Sequence, residues 1–380
     1  MDTETGSGAT PSDGTTDDRA VPPDDAAGGR SRDLPLPPHP PNLGHPSLHV
    51  LGQMRDVLAF AERAHRAGDV VRTRRPAMGD DYHLAHPEHA KRVLLTERER
   101  FRKSEDFRIA FGEGLLTVEG EEWKHQREAL RPLFTRESVH GYADGMVEQI
   151  ARRSRQWADG DRRLREAGVA DSAMLTDERL RDQMVTVIFA GHDTTTTTLT
   201  FGFWALANHP EVRERFHEEV DGLDGPPTVE DLDDLEVTER VITETLRLYP
   251  PVYTLPRVTA REFVVDGYRI PADERVFLEI RRIQRDPRFF DAPTEFRPSR
   301  WDGDLRRELH DFAYAPFGGG PRICIGREFA LLEAKLALAT IGQEYELYWI
   351  GENEPDGEPP VSPEMTLRMA EGQEFLVTER

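Results

Sequence analysis

One cysteine occurs among 380 residues, and its surroundings constrain the fold more than any other stretch. It stands in Phe317-Gly318-Gly319-Gly320-Pro321-Arg322-Ile323-Cys324-Ile325-Gly326, with a periodic apolar segment, Phe329 to Leu336, after it. The sulfur therefore lies where a tight loop meets a helix start. Gly318 to Gly320 free the backbone for a turn that aims N–H groups at one spot. A helix N-terminus and the charge of Arg322 nearby both suit a thiolate. The same arrangement suits a phosphate, but the Lys-Ser/Thr of a phosphate loop is absent: Arg327-Glu328 follow Gly326. An inert, buried cysteine is the plainer alternative.

A single cysteine rules out an intramolecular disulfide and a cysteine-ligated iron–sulfur cluster within the chain. Electrons from such a cluster must come from another protein. The net charge is −22, from 49 basic and 71 acidic residues, which argues against nucleic acid as a partner. So acidic a surface suits high salt, where self-repulsion is screened, and reads as halophile-like. No apolar run is long enough to span a bilayer, and the polar, acidic N-terminus lacks a signal pattern. The expectation is a cytoplasmic protein without a membrane anchor.

Residues 1–36 read as a disordered acidic tail rich in Pro and Gly, and residues 37–380 as the globular part. Pro35 to Pro46 should run extended over the surface. A short helix is predicted from Val57 to Ala67. Strands Val70–Thr73 and Tyr82–Leu84 should flank a turn at Gly79-Asp80-Asp81. Pro87 opens another helix, and Phe101 to Gly120 reads as loop. Helices are predicted over Glu121 to Phe134 and Val139 to Trp157. Thr176 should cap a long helix reaching about Asn208, Pro210 starts another, and Thr238 should cap Glu239 to Leu248. Phe263 to Ile270 is a hairpin with Asp-Gly at its turn. Val276 to Ile280, Tyr345 to Ile350 and Phe375 to Thr378 read as strands.

Three further segments carry chemistry. Trp123 and Arg127 share one helix face at i and i+4, as an ordinary aromatic–cation pair also would. Ala190-Gly191-His192-Asp193-Thr194-Thr195-Thr196-Thr197-Thr198 is a poor helix former within an apolar helix. Either it marks function, or it is a kinked core helix whose threonines bond back to carbonyls. Glu244 and Arg247 lie one turn apart, as in many surface ion pairs.

Taken together, these residues resemble the cytochrome P-450 family of haem-thiolate monooxygenases. The cysteine loop matches Phe-x-x-Gly-x-Arg-x-Cys-x-Gly at Phe317, Gly320, Arg322, Cys324 and Gly326. Ala190 to Thr195 match the family's oxygen-activation motif, and Glu244-Thr245-Leu246-Arg247 its Glu-x-x-Arg motif. Phe296 to Trp301 resembles the segment that adds an arginine, Arg300, to that pair; Trp123 to Arg127 resembles the helix that reaches the haem propionates. All five occur in family order.

The resemblance implies a mainly α, cytochrome P-450-like helical fold with small β-sheets, holding haem b (iron protoporphyrin IX). It implies Cys324 as axial iron ligand, and Trp123, Arg127, Arg257 and Arg322 on the propionates. Phe317, Gly320, Gly326, Ala190 and Gly191 would line the cofactor. Glu244, Arg247 and Arg300 would form a buried structural network. Asp193 and Thr194 would deliver the protons that dioxygen activation needs. Leu115, Phe189 and Val252 are pocket candidates. The partners implied are O2, a small apolar organic substrate, and a ferredoxin-type donor with its reductase.

Arg127 and Ala190 are only 190 − 127 = 63 positions apart. The family has a longer interval there, which holds the helices that cover the substrate channel. The expectation is a haem-binding half without its lid helices. A second reading is therefore a haem-binding protein that has lost substrate oxidation, acting as a carrier, sensor or truncated remnant.

Overall fold

The computed structural model describes residues 33–45, 48–75, 79–155, 189–351, 357–371 and 374–380. Helices α1 (His49–Arg55) and α2 (Val57–His65) lead into strands β1 (Val70–Arg75) and β2 (Gly79–Leu84). Helix α3 (Pro87–Lys91), strand β3 (Phe101–Arg102) and helix α4 (Glu105–Phe111) follow, then α5 (Gly120–Leu130), α6 (Arg136–His140) and α7 (Ala143–Ser154). A π-helical turn, Phe189–Asp193, opens α8 (Thr194–Asn208); α9 (Pro210–Asp221) and α10 (Glu236–Leu248) come next. Four strands precede the cysteine loop: β4 (Leu255–Thr259), β5 (Phe263–Val265), β6 (Tyr268–Ile270) and β7 (Arg275–Leu278). Helix α11 (Arg327–Glu344) follows the loop, and strands β8 (Tyr345–Trp349), β9 (Val361–Pro363), β10 (Leu367–Met369) and β11 (Phe375–Glu379) end the chain.

Two cores hold this together. Helices α8, α9, α10 and α11 bury Phe201, Trp204, Phe216, Val241, Leu246 and Leu338 against one another. Each such side chain contributes about 1.5–3 kcal/mol by leaving water. The second core lies on a five-stranded sheet of order β1-β2-β7-β4-β3, antiparallel except for β2 beside β7. Val70, Tyr82, Leu84, Val276 and Ile280 fill it, together with Phe263, Val265 and Ile270 of the β5–β6 hairpin. That hairpin turns through Asp266 (φ 49°) and Gly267 (φ 76°), the left-handed pair an Asp-Gly turn supplies. Strand pairs β8–β11 and β9–β10 complete a mainly α fold with small sheets.

Several expectations need correction. Gly79-Asp80-Asp81 is not a turn but the start of β2, with Asp80 opposite Arg74. Phe101 to Gly120 is not all loop, since it holds β3 and α4. At two and seven residues, these are too short to show a period. The helix predicted from Val139 divides at Gly141 and Tyr142 into α6 and α7. Thr238 lies inside α10 instead of capping it. The Glu219 carboxylate of α9 accepts the N–H groups of Val237 and Thr238 and the Thr238 hydroxyl, a charged cap lent by a neighbouring helix. Pro35 and Pro38 run extended, accepting the N–H groups of Arg269 and Arg72, but Pro41–Leu43 winds into a 3-10 turn and Pro37 and Pro40 are buried, so the proline segment is not extended over the surface throughout. Residues 156–188 of the interval between Arg127 and Ala190, the Thr176 cap among them, and residues 1–32 of the tail lie outside the described residues. No helix of the described residues is long and apolar enough to cross a membrane.

Candidate haem-thiolate site

The cysteine loop is shaped by close backbone approach. Gly318 and Gly320 take φ of 72° and 65°. A Cβ on Gly320 would stand 2.3 Å from the Leu94 carbonyl oxygen, and one on Gly319 2.3 Å from the Phe312 ring. The turn closes when the Cys324 N–H donates to the Phe317 carbonyl at 3.0 Å. Gly326 then opens α11. Its φ is −88°, and a methyl there would meet Phe134 at an ordinary 3.7 Å. Nothing among the described residues requires glycine at 326.

Cys324 is solvent-accessible, yet protein atoms crowd its sulfur, the combination a concave site produces. This burial pushes the thiol pKa up, against the Gly326 N–H and the charges of Arg127 and Arg327. The proton is thus held until a metal cation displaces it, since a coordinating cation deprotonates a thiol outright. Arg322 does not serve the sulfur as the sequence suggests. Its guanidinium lies over the Trp123 ring, 4.7 Å from the centroid, and donates to the Val118 carbonyl. Arg127 lies over the same ring at 5.5 Å and donates to the Ile323 carbonyl. Trp123, Arg127 and Arg322 are therefore one cluster, as expected.

Arg257 of β4 joins that cluster. Burial first, and then the charge of Arg322, lowers its pKa to about 10; its guanidinium hydrogen bond goes to the adjacent Pro256 carbonyl. Among the described residues, neither Arg257 nor Arg322 has a carboxylate within ion-pair distance. Unpaired guanidinium charges, desolvated side by side, are costly unless an anion joins them. A ligand with two carboxylates and an iron for Cys324 satisfies both ends of the site, so the residues fit haem.

The π-helical turn Phe189–Asp193 opens α8, and there the helix is about one residue per turn wider. Ala190 and Gly191 are exposed there, and a Cβ on Gly191 would meet open space. The Thr194 hydroxyl donates to the Ala190 carbonyl at 2.5 Å, and Thr198 and Thr200 repeat the pattern. The hydroxyls bond back to carbonyls, as the plainer reading of the threonine run expects, and the helix is locally widened. Asp193 is held by Arg368 and by the Thr366 hydroxyl at 2.6 Å. Phe189 begins the widened turn; Leu115 and Val252 are half-buried in the loops before α5 and β4.

Glu244 and Arg247 are not a surface pair. Both side chains are fully buried. The two Glu244 oxygens accept five donors: Arg247 Nε (2.9 Å) and Nη2 (2.8 Å), Arg300 Nε (2.8 Å), Trp301 Nε1 (2.9 Å) and the Arg297 N–H (3.0 Å). Burial alone would raise the Glu244 pKa; the hydrogen bonds and charge of Arg247 and the charge of Arg300 reverse this and leave it lowered. Gln284 carries the network onward, accepting Arg247 Nη1 on its carbonyl and the Ala315 N–H on Oε1. Tyr314, its ring tilted 58° to that of Trp301 at 5.0 Å, donates to the Thr243 carbonyl. The network thus ends two residues before Phe317 and anchors the cysteine loop.

Sequence alone did not point to Trp301, Gln284 or Arg368. Trp301 was adjacent to a named arginine; the others carry no local signal.

A family model described as cytochrome P450 matches residues 139–372. Cytochrome P450 4d2 of Drosophila melanogaster is 40% identical over 207 residues, 53% of this chain and 40% of that protein. Cyclooctat-9-en-7-ol 5-monooxygenase of Streptomyces melanosporofaciens is 44% identical over 175 residues, 46% of this chain and 38% of that protein. The chain spans about two fifths of the length of these relatives. The crystal structure of the cytochrome P450DA heme domain superposes with a TM-score of 0.76 at 25% identity, covering 91% of this chain and 96% of that one. With the cysteine loop, the buried Glu–Arg network and the widened helix turn in place, the chain belongs to the cytochrome P450 family, whose cofactor is haem b bound through a cysteine thiolate.

Proposed function

We propose that the protein is a haem-thiolate monooxygenase. It inserts one atom of O2 into an organic substrate, with electrons from an external ferredoxin-type donor and its reductase. The reaction takes place in residues 37–380, in the cytoplasm. The observation that carries this reading is the placement of Asp193 and Thr194 in and beside the widened turn of α8. When bound, haem supplies the dioxygen activation and oxygen-atom transfer. The chain's residues do the rest. Cys324 would hold the iron through its thiolate. Thr194 Oγ1 donates to Ala190 and keeps lone pairs to accept a proton, so it can pass one inward. Asp193 can supply that proton only when its carboxylate leaves Arg368 and Thr366. Leu115, Phe189 and Val252 would line the apolar substrate pocket.

The 63-position interval between Arg127 and Ala190 favours a second reading, a haem-binding protein without substrate oxidation. One experiment separates them. The haem-loaded protein is supplied with a ferredoxin, its reductase, a nicotinamide donor, isotopically labelled dioxygen and a panel of small apolar compounds. Labelled product supports the monooxygenase. Haem reduction with every electron recovered as peroxide or water, and no labelled product, establishes the second reading.

A further inference from the structure

Strand β1 is an outer strand of the five-stranded sheet, with β2 on one side and no strand on the other among the described residues. A bare edge of this kind invites pairing with another chain. The residues before β1 close it without forming a strand. The Arg72 N–H donates to the Pro38 carbonyl at 3.0 Å. The Arg72 carbonyl accepts a hydrogen bond from His39 Nδ1 at 2.8 Å. The Arg74 N–H donates to Nδ1 of His49, the first residue of α1, at 3.2 Å. A backbone N–H can only donate, so His49 Nδ1 carries no proton and the ring is neutral. The ring is fully buried, edge-on to Phe60 of α2 with centroids 5.6 Å apart. Its Nε2 is buried as well, without a partner among the described residues. A second proton would therefore place an N–H against an N–H and bury a charge that no acceptor receives.

We propose that His49 is an acid-sensitive latch: neutral, it holds α1 and the segment before it over the open edge of β1, and protonated, it lets them go and bares that edge. The groups around the ring do not rescue the charge. His39 lies 5.9 Å away between ring centroids, and His45 stands on the same side of β1 in the chain. Asp80 of β2 is already shared by Arg72 and Arg74 of β1, at 3.1 Å each. His83 of β2 is held between Thr73 and Glu279, and His65 at the end of α2 bonds the Gly68 carbonyl through Nδ1. Burial first, then His39 and His45, lower the His49 pKa, with Asp80 opposing. The latch is thus fully closed above the ordinary histidine value of about 6.5 and weakens as pH falls toward the lowered one. In that window the open population grows by up to about tenfold per pH unit.

The test is amide hydrogen exchange of the full-length, haem-loaded protein at residue resolution, at pH 5.5, 6.5 and 7.5, with the intrinsic pH dependence of exchange divided out. In the wild type, protection at Arg72 and Arg74 falls several-fold, up to about tenfold, between pH 7.5 and 5.5. Val71 and Thr73, whose N–H groups strand alternation turns toward β2, keep their protection. His49→Asn offers an amide oxygen as acceptor and cannot titrate, so its protection is the same at all three pH values. His39→Asn and His65→Asn, made singly, keep the wild-type slope. A wild-type change below about twofold at Arg72 and Arg74 overturns the proposal. So does a slope that persists in His49→Asn or disappears in His65→Asn. If circular dichroism shows that His49→Asn has lost its fold, NMR titration of the His49 ring in the wild type decides. A midpoint well below 6.5 supports the latch, and one at or above about 6.5 overturns it.

Discussion

Glu244→Gln removes one charge and almost no volume from the network beneath the cysteine loop. Five donors converge on the two carboxylate oxygens. An amide keeps one oxygen and turns an NH2 toward the donors of the other. If Oε2 is replaced, Arg247 Nε and Trp301 Nε1 lose their acceptor; if Oε1 is replaced, three donors do. At least two buried N–H groups are orphaned, each costing about 1–3 kcal/mol. Two buried guanidinium groups also lose their shared counter-charge. Together this comes to about 3–5 kcal/mol, a large part of the roughly 5–15 kcal/mol available to a folded domain. The assay is urea unfolding of the apoprotein, followed by far-UV circular dichroism. Glu239→Gln serves as comparison, because its pair with Lys335 is half exposed and its loss should cost about 1 kcal/mol or less.

The pH dependence has a definite sign. The folded Glu244 pKa is lowered, so its contribution is fully present above the unfolded value of about 4.3 and is lost as pH falls through the folded value. The gap between wild type and Glu244→Gln should therefore narrow in acid. A loss below about 1 kcal/mol at neutral pH, or one equal to that of Glu239→Gln, would refute the network's role.

Gly320→Ala should destabilise the apoprotein by at least about 2 kcal/mol, through a left-handed φ and a methyl driven into the Leu94 carbonyl. Gly326→Ala should leave apoprotein stability within about 0.5 kcal/mol but weaken haem retention, measured by transfer of haem to an acceptor protein. Equal behaviour of the two variants would contradict the roles assigned to these glycines. Thr194→Ala should retain haem and its carbon monoxide spectrum while product per electron drops at least about tenfold, the electrons appearing as peroxide; Thr194→Ser should restore coupling. Unchanged coupling in Thr194→Ala would remove Thr194 from proton delivery.

What could be read from the sequence was local. The cysteine loop, the Glu-x-x-Arg turn and the acid–threonine run each compress their chemistry into ten residues or fewer. Asp-Gly at 266–267 fixed a hairpin by backbone preference alone. Strand β4 escaped because Pro256 stands in it. The structure admits the proline because β3 pairs only with Val258 and Thr259, so the missing N–H falls on an open edge. Arg322 stands two residues from the sulfur in sequence, yet a side chain of that length chooses its partner in space, and it lies over the Trp123 ring. The Asp193–Arg368 pair joins positions 175 residues apart. Such pairings depend on topology, which no local pattern encodes.

The central claim is that Cys324, as a thiolate, holds the iron of haem b. The most direct measurement is the absorption spectrum of the haem-reconstituted, reduced protein under carbon monoxide, recorded for the wild type and for Cys324→Ala. The account predicts the strongly red-shifted Soret band of a thiolate–carbon monoxide complex in the wild type and its loss in Cys324→Ala. A band typical of histidine-ligated haem in the wild type, or a red-shifted band that survives Cys324→Ala, would contradict it.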